Sequence, residues 1–331
     1  MDIEAMSNIS PAEPARLHRP PWSIFRRRDK DRLANRAFFT LSALPLVLIL
    51  VILVALMQRS WPILGAGSLW ELLTGLVWKP MQGLFGFYPF IIGTIWVTTV
   101  AMVLAVPPCL LVAIYLAEYA GTRIKTIMKP LLDLLAAIPS VVYGVWGLVA
   151  IVPWVQSSLK PFMSQWLGFI PLFNSDNPTG FSIISGSIVL AVMVAPFIIA
   201  VTYEVLHTVP EGMRHASLAV GATRWQTIRH AVLPLTLPGI GAGIVMGASR
   251  ALGETMAVLM VVGNVAKVPG SIFDAAYPLP ALIANNYGEM MSIPKYDAAL
   301  LGAALVLLVM VLIFNIASTL ALRQIMRRMK T

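Results

Sequence analysis

Residues 239–262 read GIGAGIVMGASRALGETMAVLMVV. The stretch is apolar and long enough to cross a hydrocarbon layer of about 30 Å, which needs roughly 20 residues at helical rise. Two ionisable residues of opposite charge, Arg250 and Glu254, nevertheless lie near its middle. The sequence therefore predicts a membrane-spanning helix that carries a charged pair at mid-depth.

Charged side chains at this depth usually have a function. An ionisable group at the bilayer centre costs roughly 2.5–3.5 kcal/mol on insertion scales, so it generally faces a protein interior or a water-filled path. A separation of four residues would place Arg250 and Glu254 on one helix face, within reach of each other. The alternative is a buried ion pair that only fixes helix packing, although such a pair adds little stability in a low dielectric. We therefore expect both residues to line a path through the membrane.

Composition assigns the chain to the membrane proteins. Of its 331 residues, 58% are hydrophobic and only 12% are charged, which excludes an ordinary soluble domain. The apolar segments are continuous rather than alternating, so helices are expected and a β-barrel is not. The predicted fold class is all-α, a polytopic membrane protein with six transmembrane helices. The predicted spans are 37–57, 91–115, 131–152, 184–203, 239–262 and 297–322.

The distribution of lysine and arginine predicts the orientation. Basic residues crowd the N-terminal segment 1–36, follow the last span, and recur in the loops at 123–129 and 214–229. Because cytoplasmic loops carry the excess of positive charge, both termini should be cytoplasmic. The formal net charge of +9 then reflects topology and contact with anionic membrane lipid, and it gives little support to nucleic-acid binding. The apolar run that follows is too long for a signal-peptide core, so 37–57 should remain as the first span.

The segment between the fourth and fifth spans is the second informative region. Residues 208–234 read TVPEGMRHASLAVGATRWQTIRHAVLP. Pro210 at a helix start, Gly221 as a stop and Thr223 as a cap predict two short helices, the second ending before Pro234. An ordinary loop would not require such regular punctuation. We therefore expect a helix–turn–helix that forms a docking surface in the cytoplasm.

This segment is similar to the coupling loop of importer-type ABC permeases. The family pattern is Glu-Ala-Ala, three residues, Gly, nine residues, Ile, one residue, Leu-Pro. Four positions match at the required spacings: Ala216, Gly221, Leu233 and Pro234. Three positions depart from it, because His215 stands where the Glu belongs, Ser217 replaces the second Ala and Ala231 replaces the Ile. The resemblance implies that an ATPase contacts the following residues: Glu211, His215, Ala216, Ser217, Gly221, Leu233 and Pro234.

Three further stretches, 134–148, 249–258 and 281–289, look like the phosphate-specific ABC importer permeases of the PstC type. The sister permeases of the PstA type share the Arg-Ala-x-Gly-Glu-Thr core. They usually lack the Met-Ala continuation and the Tyr-Gly-x-Trp-Gly run. The resemblance covers roughly residues 36–325.

The resemblance implies a type I ABC importer permease fold in the bacterial inner membrane. The permease core would occupy 85–325, with the coupling loop at 204–238. Implied partners are a second permease of the PstA type as heterodimer, two ATPase subunits of the PstB type and a periplasmic phosphate-binding protein of the PstS type. This chain would itself be non-catalytic and bind no cofactor, since ATP and Mg would be used by the ATPase.

The resemblance also implies roles for the charged pair. A desolvated guanidinium is a planar fork that matches phosphate oxygens, so Arg250 would bind the anion. Glu254 could hold that fork when phosphate is absent and release it when the anion arrives. Hydroxyls could assist a passing anion, although small polar residues also pack helices. The candidates are Thr255, Ser185 and Ser187.

Several other functions are excluded or stay open. The chain has no Gly-x-x-x-x-Gly-Lys-Ser/Thr loop, so it is not the ATPase subunit. Cys109 is the single cysteine, so thiols cannot form an internal disulfide or a metal site. A permease for molybdate or sulfate and the sister phosphate permease are the alternatives within the class. An intramembrane enzyme or a non-transport membrane scaffold is the alternative from another class.

Overall fold

The computed structural model describes residues 22–65, 69–288 and 295–328. Within these ranges the chain is almost entirely helical. The helices are α1 (Trp22–Leu64), α2 (Leu69–Thr74), α3 (Tyr88–Tyr119), α4 (Thr122–Ala137), α5 (Ser140–Leu167), α6 (Ile183–His207), α7 (Glu211–Ala219), α8 (Arg224–Leu252), α9 (Met256–Leu259), α10 (Leu279–Asn286) and α11 (Tyr296–Arg328). A short antiparallel hairpin joins β1 (Trp78–Lys79) to β2 (Leu84–Phe85).

Six of the described helices contain a segment that is long and apolar enough to cross a membrane, which confirms the predicted fold class. These segments are Asp31–Leu64, Tyr88–Tyr119, Ser140–Leu167, Ile183–His207, Arg224–Leu252 and Tyr296–Gln324. Three of the helices include π turns, at Tyr115–Tyr119 in α3, at Gly147–Ile151 and Val155–Leu159 in α5, and at Ile228–Val232 in α8.

The chain divides into two compact units at Val54. The first unit contains the N-terminal part of α1, which starts at Trp22. Residues 1–21 of the basic segment predicted at 1–36 lie outside the described residues. The rest of that segment, from Trp22 onward, belongs to this helix. The second unit, from Ala55 to the end of the chain, contains all the other elements.

Helix α6 is the centre of the second unit. In its most apolar window 72% of the residues are buried, against at most 33% in the other five spanning segments. It packs most extensively against α3 and also contacts α8 and α4. The contact with α8 depends on glycine, because Cβ atoms added at Gly239, Gly243 and Gly247 would lie within 3 Å of Val205, Val201 and Ile198. The small residues of the fifth span therefore allow a close approach of the two helices.

The third span is interrupted, and its predicted limits of 131–152 are wrong. Helix α4 ends at Ala137 and α5 begins at Ser140, since the residue before Pro139 is sterically excluded from helical geometry. The Tyr143 hydroxyl donates a hydrogen bond of 2.9 Å to the Leu135 carbonyl across this break. Helix α5 then continues to Leu167, so the loop predicted from residue 153 begins only after that residue.

The fifth span differs from prediction at both ends. The helix predicted at 239–262 begins at Arg224 and ends at Leu252. Gly253 follows the last turn, and the chain resumes a helix only for the single turn of α9. Positive φ angles at Gly263 and Asn264 then turn the chain away. The apolar composition continues through this region, but the helical hydrogen-bonding pattern ends at Gly253 and at the two polar residues that follow it, Glu254 and Thr255.

Candidate functional site

The end of α8 lies at the mid-depth of the helix bundle. A Cβ added at Gly247 would lie 2.9 Å from Ile198 of α6, and one added at Gly186 would lie 3.8 Å from Val258. The residues between these two contacts are therefore level with the middle of α6, the central helix. Arg250, Glu254 and Thr255 all belong to this interval, as the sequence predicts.

Arg250 and Glu254 do not form the predicted ion pair. The Arg250 side chain is exposed in the last turn of α8 and makes no ion pair with any residue that the structure describes. Glu254 lies beyond the helix end, where its Oε1 accepts a 3.4 Å hydrogen bond from the Ala257 backbone N–H. The prediction assumed an unbroken helix, and the break at Gly253 removes the four-residue geometry on which that pairing depends.

Hydroxyl groups near the site mostly serve the packing of the chain. The Thr255 hydroxyl donates to the Gly253 carbonyl at 3.2 Å and belongs to the turn before α9. Ser185 and Ser187 are fully buried. Their hydroxyls donate to the carbonyls of Gly180 at 2.6 Å and Val97 at 3.0 Å. Of the three candidates, only Thr255 is partly accessible beside Arg250.

A second interrupted helix meets α9 at the same level. A Cβ added at Gly144 would lie 3.2 Å from the Ala257 Cα and 2.7 Å from the Met260 sulfur. The start of α5 therefore packs directly on α9. The motifs at 134–148 and 249–258 thus form one region. Interrupted helices at membrane depth are tolerated where they line a cavity or lie inside protein.

The predicted turn of the 208–234 loop is present. Helix α7 is followed by Gly221 at a φ of 86°. Thr223 caps the next helix, since its Oγ1 accepts from the Gln226 N–H at 3.3 Å while the Gln226 Oε1 accepts from the Thr223 N–H at 2.8 Å. The reciprocal pair satisfies two donors at the helix start.

The second helix of the loop does not end before Pro234, so that part of the prediction is wrong. It continues as α8 through the π turn at Ile228–Val232 and into the membrane span. The wider π turn accommodates the proline, whose nitrogen cannot donate to the preceding turn. The second helix of the loop and the membrane span are therefore one helix, α8.

The predicted loop residues divide into exposed and anchoring positions. The exposed ones are Glu211, His215, Ala216, Gly221 and Pro234, while Ser217 and Leu233 are half-buried. The Ser217 hydroxyl lies 2.9 Å from the Thr227 hydroxyl, so the serine that replaces the family's alanine joins α7 to α8. The exposed set leaves one surface of α7 open for a partner.

Sequence reasoning missed Arg214 and Glu118. The Arg214 Nη2 lies 2.9 Å from the Glu118 Oε1, and the two side chains are 17% and 10% exposed. Both residues line a cavity of about 350 Å³ beside His215. They are 96 positions apart in the chain, so spacing could not reveal them. The available signal was an acidic residue at the end of an otherwise apolar span.

Comparison with known proteins agrees with this geometry. The family described as "Binding-protein-dependent transport system inner membrane component" matches residues 109–331. The phosphate transport system permease protein PstC of Pasteurella multocida is 34% identical over 81% of this chain and 84% of its own length. The protein of the same name from Mesorhizobium japonicum is 32% identical over 96% of this chain and 98% of its own.

Solved structures show a related fold. A chain of a bacterial alginate ABC transporter, solved with an alginate pentasaccharide-bound periplasmic protein, aligns with a TM-score of 0.59 at 18% identity, covering 91% of this chain and 97% of that one. A chain of the inward-facing MetNI methionine ABC transporter aligns with a TM-score of 0.52 at 21% identity, covering 75% and 99%. The chain belongs to the family of binding-protein-dependent transport system inner membrane components.

Proposed function

We propose that this chain is the permease subunit of an ATP-driven phosphate importer, of the PstC type. One structural observation carries the proposal: an arginine without an ion partner among the described residues lies at mid-depth, where α8 ends and α5 packs on α9. The names of the relatives, which match over most of their length, identify phosphate as the substrate class. The chain would form half of the translocation path and leave ATP hydrolysis to a partner.

The exposure of Arg250 determines which side of the chain faces the path. A guanidinium at this depth is too costly to face lipid, so water or another protein must cover it. A second permease of the PstA type would supply the opposite wall, as expected of a heterodimer. Between the two walls, the planar fork of Arg250 binds two oxygens of a phosphate, which the single ammonium of a lysine cannot do in the same way.

Glu254 has a different role from the one its spacing predicted. Because its carboxylate caps α9 and leaves Arg250 free, the guanidinium is available to an anion in this conformation. The nearby negative charge still opposes tight anion binding. A transport path requires such weak binding, since the ion must also be released.

The 208–234 loop would couple this path to two ATPase subunits of the PstB type, which use ATP and Mg. Its exposed α7 surface is the docking site. The orientation follows from the basic residues, with the loop and both termini in the cytoplasm of a bacterial inner membrane. A periplasmic phosphate-binding protein of the PstS type would deliver the substrate to the opposite face.

Uptake of labelled oxyanions tests the proposal. A strain that lacks this chain should lose high-affinity phosphate uptake and regain it when the chain is restored. Sulfate and molybdate uptake, measured in parallel, should not change. Unaltered phosphate uptake in the deleted strain would overturn the proposal, and a selective loss of sulfate or molybdate uptake would replace phosphate by that oxyanion.

A further inference from the structure

One arginine, Arg214, attaches helix α7 to the ends of α3 and α6. The Arg214 Nη2 lies 2.9 Å from the Glu118 Oε1, and the Arg214 Nε donates to both carboxylate oxygens at 3.2 and 3.3 Å. Glu118 lies in the last turn of α3. With side-chain exposures of 17% and 10%, the pair is largely shielded from water. It is therefore a bidentate, charge-assisted contact rather than a surface ion pair.

The same guanidinium also binds the end of α6. Its Nη2 donates to the Leu206 carbonyl at 2.8 Å, and its Nη1 donates to the Val209 carbonyl. These carbonyls lie at the end of the helix, where the last turns lack partners within the helix itself. One side chain of α7 is thus bonded to the ends of two spans. A lysine has no fork that could reach a carboxylate and two carbonyls together.

The two spans that Arg214 joins lead to the mid-depth site. Helices α3 and α6 form the most extensive helix contact in the second unit. At mid-depth, Ile198 of α6 packs on Gly247 of α8, one turn before Arg250. A displacement of α7 therefore has a continuous packed route to the arginine. The other attachment of α7, the Ser217 to Thr227 hydroxyl contact, is neutral and leads to α8.

We infer that the Arg214–Glu118 pair makes α7 and the ends of α3 and α6 move as one rigid body. The pair is then a positioning device that passes the motion of a docked ATPase to the translocation path. This inference rests on the proposed function for the source of that motion. The rigid connection itself is a property of this chain alone.

A distance measurement tests the rigid connection without using phosphate. In a background where Cys109, the single cysteine, is replaced by alanine, spin labels are placed at two exposed positions, Tyr119→Cys in α3 and Ala219→Cys in α7. In the assembled complex with its ATPase, the distance distribution should be the same with and without ATP. Adding Glu118→Gln should broaden it. A distance that changes with ATP in the otherwise unaltered chain would overturn the inference, as would a distribution that Glu118→Gln leaves unchanged.

Coupling is measured as phosphate transported per ATP hydrolysed in reconstituted vesicles. Glu118→Gln should lower this ratio by about tenfold, within the usual range of coupling free energies, while complex assembly and ATP hydrolysis persist. Arg214→Lys should give an intermediate ratio. The matched control is Glu204→Gln, which breaks the exposed Lys129–Glu204 pair, with side-chain exposures of 67% and 60%, and should leave the ratio unchanged.

The outcomes separate this inference from the proposed function. If Glu118→Gln reduced the amount of assembled complex but left the ratio of phosphate transported to ATP hydrolysed unchanged, the pair would be only structural. That result would overturn the inference. A complex that hydrolyses ATP but carries no phosphate, even with the natural residues, would overturn the proposed function. In that case the distance measurement would still decide whether α7 moves with α3 and α6.

Discussion

Single charged residues in this chain differ in how they are compensated. Arg214 is shielded and bonded to Glu118 and to two backbone carbonyls, and Lys129 forms a solvent-exposed pair with Glu204. Arg250 has no ion partner among the described residues, although it lies at the depth where a charge costs most. A charge at that depth must be stabilised by some group, and the described residues supply no ion partner for it. An oxyanion, water or a facing subunit are the candidates, and the first is what transport requires.

Replacing Arg250 tests whether its guanidinium binds the transported oxyanion. Arg250→Gln removes charge-assisted hydrogen bonds worth about 1.5–3 kcal/mol each, so phosphate uptake should fall by at least about tenfold. Arg250→Lys keeps the charge but loses the fork, and should retain part of the uptake. The matched control is Arg323→Gln at the exposed end of α11, which should have no effect. Normal uptake by Arg250→Gln at equal expression would contradict the assignment.

Glu254 provides a second test, of whether its negative charge weakens phosphate binding. In Glu254→Gln the side-chain oxygen can still accept from the Ala257 N–H, so α9 should be kept while the negative charge is lost. Phosphate should then bind more tightly and leave more slowly. We expect both the half-saturating phosphate concentration and the maximal rate to fall several-fold in uptake measurements. If Glu254 acts only as a cap, neither value will change.

Among the elements, the two interrupted helices define the site. Helix α5 begins and α8 ends at the level where α9 packs between them and α6. This arrangement requires small residues at the contacts. A Cβ added at Gly147 would lie 2.5 Å from Val189 and 2.9 Å from Val261, both of which are fully buried. Branched side chains in a packed core cannot move aside easily.

Gly147→Ala should therefore destabilise the region by about 1–3 kcal/mol, the usual cost of overpacking a core. The measurement is the midpoint of thermal unfolding of the purified protein in detergent, which should decrease. Gly121→Ala is the matched control, because a Cβ there meets nothing within 4 Å and its φ of −71° suits alanine. Equal midpoints for the two variants would show that α5 is not packed as tightly as described.

The sequence predicted the features that depend on neighbouring residues, and it missed those that depend on backbone hydrogen bonds or on contacts between distant parts of the chain. The apolar runs and the local caps at Gly221 and Thr223 are encoded within a few residues, so the spans and the docking turn were predictable. The end of α8 at Leu252 was not, because hydropathy does not register the loss of helical hydrogen bonds at Gly253. The Arg214–Glu118 pair joins distant parts of the chain, so no rule based on short sequence spacings could have predicted it.

For the whole molecule, the distribution of basic residues predicts which face lies in the cytoplasm. The segments at the α7 face, 120–139 and 208–234, carry six lysines and arginines, whereas those at the opposite face, 65–87, 168–182 and 253–295, carry three, which are Lys79, Lys267 and Lys295. Because positive charge is retained on the cytoplasmic side, the α7 face should lie inside the cell. This placement would allow the proposed cytosolic ATPase to dock on α7, with the proposed binding protein at the other face.

Cysteine labelling in intact cells tests the orientation. In the Cys109→Ala background, a cysteine at Lys267, which is exposed, should react with a membrane-impermeant maleimide. A cysteine at Ala219 on α7 should react only after the membrane is opened, although it is exposed in the structure. The reverse labelling pattern would place the docking surface outside the cell and exclude coupling to a cytosolic ATPase.

Helix α8 runs without interruption for 29 residues, from the capped docking turn to Leu252. At helical rise it is a rod of about 43 Å. The glycines at 239, 243 and 247 pack it against α6, and this contact lies between its two ends. A tilt of about 5° around Gly243 would move the backbone at Arg250, roughly 10 Å away along the helix, by about 1 Å. If an ATPase docks on the 208–234 loop, helix α8 would carry a displacement of that loop directly to the guanidinium of Arg250.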